Sequence, residues 1–353
     1  MKLFTVGPVE MYPETLSISG LQVPYFRTDD FSDMMIESEG LIKKILYTGC
    51  SSKVVFLTAS GTGAMESAVV NFFNEDDKLL IVSGGGFGER FEQICSLHGI
   101  SYDSVKIQFG EILTEQSLRP YLNNDYSGML VNIDETSTGQ LYDIHLLSDF
   151  CKKKGMYLVV DAISSFLADT MRMDEFGVDA VILSSQKALA LSPGLSMVVM
   201  NSRIYEERVL KIPSKIFYLD FKRHIENQKR GQTPFTPCVG ILLELNSMLH
   251  MIDEMGVENK IKATKDLCTY FRSLATEAGL CIPSYPLSNA VTPILFKDGS
   301  AKKVYDDLKS KYGFIVTPSG GDLKDIMLRV GHMGNIGKED YDNLVDALKE
   351  VIE

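Results

Sequence analysis

The chain has 353 residues, 45% of them hydrophobic and 23% charged, with a formal net charge of −12. These values fit a globular protein with room for one large domain and a smaller one. The acidic balance disfavours nucleic acid and anionic membranes as partners. The longest apolar runs are of strand length, too short to cross a bilayer. The first residues carry no apolar signal segment, and the last three are no receptor-read address. The six cysteines form no Cys-x-x-Cys pair and the five histidines show no zinc spacing. Reduced thiols, a cytoplasmic location and no metal are expected.

Residues 1–20, with Gly7-Pro8 and Pro13, read as an extended arm. From about residue 40 to 240, apolar runs alternate with helix-length stretches. Strands are predicted at 54–57, 78–83, 101–107, 128–133, 157–160, 180–183 and 195–200, with helices such as 63–73, 88–97 and 146–154 between them. This alternation implies βαβ units: an α/β domain with a mostly parallel sheet and helices on both faces. Ligands on such sheets bind outside the carboxyl ends of the strands. After about residue 245 the pattern changes. A long amphipathic stretch at 239–255 and a helix at 260–278 come first. Strands at 291–296, 314–317 and 326–330 follow, with a helix at 300–311 and a last one at 338–352. This reads as a smaller α+β domain, so the expected division is 1–20, 21–245 and 246–353.

The polar motifs follow the strands. Ser60, Gly61 and Thr62 in Thr58–Glu66 would open a helix, where backbone N–H groups attract a phosphate; a plain N-cap is the other reading. The glycine-rich run Gly84–Gly88 fails dinucleotide spacing, because Glu89 stands where the last glycine should be. Its Phe87 either joins a core or stacks on a planar ring. Thr136, in Ile133–Gln140, either makes a local turn or reaches a ligand oxygen. Asp161 ends the run Tyr157–Val160, and Lys187 follows the run Val178–Leu183. An amine and a carboxylate at the ends of neighbouring buried strands suggest pyridoxal 5'-phosphate. The amine condenses with the aldehyde as a Schiff base, and the carboxylate pairs with the pyridine nitrogen. Asp161 is otherwise a helix N-cap, and Lys187 a surface lysine. Arg329 lies inside a short apolar strand, which demands a partner: a substrate carboxylate or a structural ion pair.

Together these segments resemble the class V aminotransferases of PLP fold type I, in particular the alanine–glyoxylate, serine–pyruvate and 2-aminoethylphosphonate enzymes. The resemblance runs from Gly7-Pro8 to the final helix, and Ser-Gln-Lys-Ala-Leu at 185–189 is its most specific element. It implies that Lys187 is the Schiff-base lysine, Asp161 the partner of the ring nitrogen and Phe87 the stacking residue. Ser60, Gly61, Thr62 and Gln186 match phosphate-cup positions. Thr136 matches the residue near the ring hydroxyl. Thr236, in Gln232–Pro237, matches a residue reaching the phosphate of a neighbouring subunit. Arg329, Gly7 and Arg27 fall on the substrate side. The resemblance further implies a homodimer with active sites at the interface. Two departures stand out. Phe87 replaces a common Trp, and Tyr25-Phe26-Arg27-Thr28 replaces the His-Arg-Glu segment of the phosphonate enzymes. Gln186 and Phe87, where cysteine desulfurases usually carry His, weigh against that rival lyase.

Overall fold

The computed structural model describes residues 1–352. Seven strands build the main sheet: β1 (Lys53–Leu57), β2 (Lys78–Ser83), β3 (Ser101–Lys106), β4 (Gly128–Asn132), β5 (Tyr157–Asp161), β6 (Ala180–Ser184) and β7 (Ser196–Met200). Their order is β1-β7-β6-β5-β4-β2-β3. Neighbours from β3 across to β6 run parallel, while β7 runs antiparallel to both β6 and β1. The expected mostly parallel sheet is present. The reversal at β7 follows from the short 185–195 loop, which cannot hold the crossover a parallel return needs.

Side-chain alternation divides each strand between two apolar layers. Val54, Phe56, Leu80 and Val82 face one, while Val55, Leu57, Leu79 and Ile81 face the other. Burial on both faces is why these strands read as continuous apolar runs. Helices α3 (Gly61–Phe72) and α4 (Gly86–Leu97) cover one layer. The other is covered by α2 (Asp29–Ile45), α5 (Ile144–Lys154) and α6 (Val239–Met255). Leu242, Leu245, Met248, Leu249 and Ile252 of α6 all belong to this layer, so the helix runs on across residue 245.

A smaller antiparallel sheet follows, with β8 (Val291–Leu295), β9 (Thr317–Pro318) and β10 (Met327–Gly331) in the order β8-β10-β9. With α7 (Val257–Glu277) and α8 (Lys338–Ile352) it encloses a third core, built on Phe271, Val330, Tyr341, Leu344 and Leu348. The N-terminal arm joins this core. Lys2–Leu3 pairs with Phe314–Ile315, and Phe4 is fully buried there. One expectation is corrected. Residues 13–19 are not extended but form α1 (Pro13–Ser19). Proline is tolerated in the first turn, where its missing N–H costs no bond, and Glu14 beside it suits the helix dipole.

The arm is held by close approach. The Gly331 N–H donates to the Phe4 carbonyl at 2.8 Å, and a Cβ on Gly331 would lie 2.1 Å from the Thr5 carbonyl oxygen. Gly331→Ala should therefore displace the arm and destabilise the protein by about 1–3 kcal/mol. An unchanged urea midpoint would show that the arm contributes nothing to the fold.

Candidate active site

Lys187 and Asp161 meet at the carboxyl edge of the main sheet. Asp161 is the last residue of β5 and lies across from Ile182 of β6, while Lys187 stands in the turn that follows β6. That turn is tightly tied. Ala190 N–H donates to Lys187 O at 2.8 Å, and Ser185 Oγ donates to Ser192 O at 2.7 Å. The buried Glu244 on α6 accepts from Ser192 N–H at 2.8 Å, Ser192 Oγ at 3.0 Å and Ser19 Oγ at 2.8 Å. Leu189 and Leu191 anchor the turn in the core. The lysine stem is pressed against the arm, since a Cβ on Gly7 would sit 2.5 Å from Lys187 Cδ. The Val9 N–H reaches Gln186 O at 3.3 Å. Lys187 is buried, so the surface-lysine reading falls.

Burial pushes the Lys187 amine down to about 8. The charge of Asp134 opposes this, Arg329 adds to it, Asp161 opposes it and Arg90 adds to it. Burial pushes Asp161 up to about 7, against the stabilising Ile163 N–H at 2.8 Å and the charge of Lys187. Asp161 opens no helix, so its N-cap reading reduces to that one turn bond.

Arg329 on β10 donates to Thr136 O at 2.8 Å and to Pro318 O at 2.7 Å. Its Nε is buried without a partner, and among the described residues no carboxylate lies within ion-pair reach. The structural ion pair is thus excluded. A buried guanidinium with an unused donor is prepared for an incoming anion. Ser319 Oγ, two residues beyond Thr317, is also buried and unpartnered.

Phe87 stands on the first turn of α4, half-buried and outside all three cores. The Arg90 guanidinium lies 4.7 Å from its ring centroid and donates to Thr62 Oγ1 at 3.1 Å, linking α4 to the start of α3. There Ser60 makes no side-chain cap, leaving the α3 N-terminus with unspent N–H groups. Gln186 accepts from Ser184 Oγ at 2.5 Å, and a Cβ on Gly61 would meet the Ile163 side chain at 2.5 Å and displace it. Thr136 Oγ1 donates to Ser164 Oγ at 2.7 Å, so its hydroxyl is tied to the turn after β5.

Arg27 is taken up by the 232–238 loop. Its Nη1 donates to Gln232 Oε1 at 3.0 Å and to Thr233 O at 2.9 Å, where it steadies the loop that carries the exposed Thr236. That loop borders the α3 entrance through Cys238 N–H, which donates to Thr58 Oγ1 at 3.0 Å.

Three site residues were missed in the sequence. Glu135 accepts from Gly88 N–H at 3.1 Å and Asn132 Nδ2 at 3.0 Å, capping α4 from a distant strand and setting Phe87. Gly85 is glycine because a Cβ would meet the Glu135 carboxyl at 2.7 Å. Arg90 and Asp134 are the others. An acidic pair directly after a buried strand was the available signal.

A lysine, an aspartate and a helix N-terminus lie at the carboxyl edge of the main sheet, an arginine without a carboxylate partner reaches Thr136 O from the small sheet, and the comparisons with known proteins fit that geometry. The aminotransferase class-V family model matches residues 24–316. The chain belongs to the class V aminotransferases. It is similar to a serine–glyoxylate aminotransferase of Arabidopsis thaliana, 31% identical, covering 95% of this chain and 86% of that protein. It is also similar to an uncharacterized aminotransferase of Methanocaldococcus jannaschii, 30% identical, with 96% and 89% covered. A solved alanine–glyoxylate aminotransferase from Nostoc sp. superposes with a TM-score of 0.93 at 26% identity, over 99% of this chain and 95% of that one. The architecture of this aminotransferase is that of PLP fold type I.

Asp161 has a definite signature in the cofactor-free aminotransferase. Its proton affinity is raised on folding, so the stability of its protonated form is complete below about pH 4 and is lost as pH rises through about 7. Asp161→Asn should raise the melting temperature relative to wild type at pH 8 and lose most of that gain at pH 4.5. An equal difference at both pH values would contradict a carboxylate whose proton affinity is raised by burial.

Proposed function

We propose that this aminotransferase moves an amino group from a small amino acid (alanine, serine, aspartate or aminoethylphosphonate) to a 2-oxo acid such as glyoxylate or pyruvate, with pyridoxal 5'-phosphate. The observation that carries the reading is the buried Lys187 amine in the turn after β6, next to the strand that ends in Asp161, together with a buried Arg329 that lacks a carboxylate partner. Family membership and the named relatives support it.

The residues suit the cofactor. Asp161 would face the pyridine nitrogen. A protonated ring nitrogen supplies the cation that a buried carboxylate with one backbone donor lacks. Ser60, Gly61, Thr62 and Gln186 would hold the phosphate at the uncapped α3 N-terminus, with Arg90 beside it. Phe87 would lie on the ring, and Thr136 near its hydroxyl oxygen. When bound, the cofactor supplies a carbonyl carbon for the amino group and a ring that accepts electrons from the substrate carbon.

This chain's residues perform the remaining work. Arg329 grips the donor's carboxylate, or the phosphonate of aminoethylphosphonate, and orients the carbon that bears the amine. Lys187 Nζ, with its proton affinity lowered into the working range by burial, takes the proton from that carbon and returns one during transfer. Gly7 and the arm close over the lysine stem and restrict water. The donor's oxo acid leaves before the acceptor enters, which makes the kinetics ping-pong, and the acceptor repeats the steps in reverse.

A homodimer is part of the proposal. Exposed Val23, Tyr25, Phe217 and Tyr218 surround the 232–238 loop, with Phe217 and Tyr218 against Phe235. A second copy covering this apolar rim would bring Thr236 to its neighbour's phosphate site.

Lys187→Ala should lower kcat by at least about 1000-fold, and retained full activity sinks the mechanism. Arg329→Gln should lower kcat/KM for amino acids by about 100-fold while sparing an amine donor that has no acidic group. Equal losses for both donors would assign Arg329 a purely structural role.

A further inference from the structure

Ser319 stands directly after β9, and its buried hydroxyl has no partner. Burying a hydroxyl without a bond costs free energy that a ligand can recover. The small sheet fixes where this residue lies. Thr317 is across from Arg329 and Pro318 across from Leu328, and the Ser319 N–H continues the ladder to Met327 O at 3.3 Å. Alternation then separates two faces. Val316, Leu328 and Val330 enter the third core, while Thr317, Ser319 and Arg329 share the face turned away from it. That face closes over the active site. Thr317 Oγ1 accepts from Val6 N–H at 3.0 Å, one residue before the Gly7 that presses on the Lys187 stem. Arg329 Nη1 reaches Thr136 O, and its Nη2 holds Pro318 O, the carbonyl of the peptide unit that leads into Ser319. The guanidinium therefore lies against the peptide that carries the unpartnered hydroxyl. A cavity of about 420 Å³ runs up to this point. Ser137 and Thr138, directly after Thr136, line one wall, and Gly320–Leu323, directly after Ser319, line the other. The exposed Gly86 and Asp322 at its lining open it to solvent.

We propose that Ser319 is a substrate-binding residue whose hydroxyl donates to the acidic group of the amino donor, beside Arg329. The proposal rests on Arg329 being the anion clamp. Arg329 spends one N–H on each of two carbonyls, and its Nε is unspent. A carboxylate presents about four lone-pair sites, so a two-pronged grip by the guanidinium leaves room for a third donor. Ser319 supplies that donor from a strand-fixed position at the end of the cavity. An amine without an acidic group gains nothing from it, so Ser319 sharpens selection for donors that carry a carboxylate or phosphonate.

The test uses full-length protein loaded with pyridoxal 5'-phosphate. Propionate, a carboxylate with no amine to react, is titrated, and its binding is followed by the broadening of its proton NMR signals. This readout needs no turnover. Ser319→Ala should weaken propionate about 10-fold, and Ser319→Thr, which keeps the hydroxyl, should stay within about twofold of wild type. In turnover, Ser319→Ala should raise KM for an acidic amino donor by a similar factor, with a much smaller change in kcat. Its melting temperature should be unchanged or higher, because the removed hydroxyl has no bond to lose. A lowered melting temperature with equal losses for donors with and without an acidic group would make Ser319 structural and overturn the inference. Unchanged propionate affinity in Ser319→Ala, beside a loss in Arg329→Gln, overturns the inference and leaves the clamp standing. Unchanged affinity in both variants overturns the clamp itself, and the inference with it.

Discussion

Burial of the Lys187 amine is the constraint to which the surrounding structure is fitted. An ammonium taken out of water loses hydration worth several kcal/mol, so it shifts toward neutrality or acquires counter-charges. Burial pushes the amine down to about 8, and the charges of Asp134 and Asp161 act against that shift. The balance matters because an amine that exchanges protons near neutral pH is useful as both acid and base.

Holding that amine requires parts from across the chain. The sheet supplies the edge, the 185–195 turn the anchor, Glu244 the tie to α6, and Gly7 the wall. The arm reaches Gly7 only because it is bound into the small sheet through Phe4 and Gly331, the strand that also bears Arg329. Movement of the small sheet would therefore shift the wall of Lys187 and the position of Arg329 together. Under the roles proposed for them, this coupling puts substrate grip and proton transfer on one mechanical unit.

Much of this was legible in the sequence. Lys187 and Asp161 announced themselves as polar residues closing apolar runs. Arg329 did so as a charge inside a strand, and the strand edges were read to within a residue or so because burial on both faces leaves no polar interruption. Other features are decided by tertiary contact. The α1 helix lies in an arm whose prolines suggested extension. The role of Arg90 depends on α4 packing beside α3, and Arg27 is taken up by Gln232 and Thr233, far along the chain. The direction of Asp134 depends on a two-residue pairing that no periodicity reveals.

The most direct test of the central claim is a half-reaction. The purified protein is loaded with pyridoxal 5'-phosphate, single amino donors are added without acceptor, and the absorption band of the lysine-bound cofactor is followed. The account predicts that one donor abolishes the band and that a 2-oxo acid restores it. A normal band that no amino donor changes would contradict transamination, and absence of any band would remove Lys187 from the centre of the site.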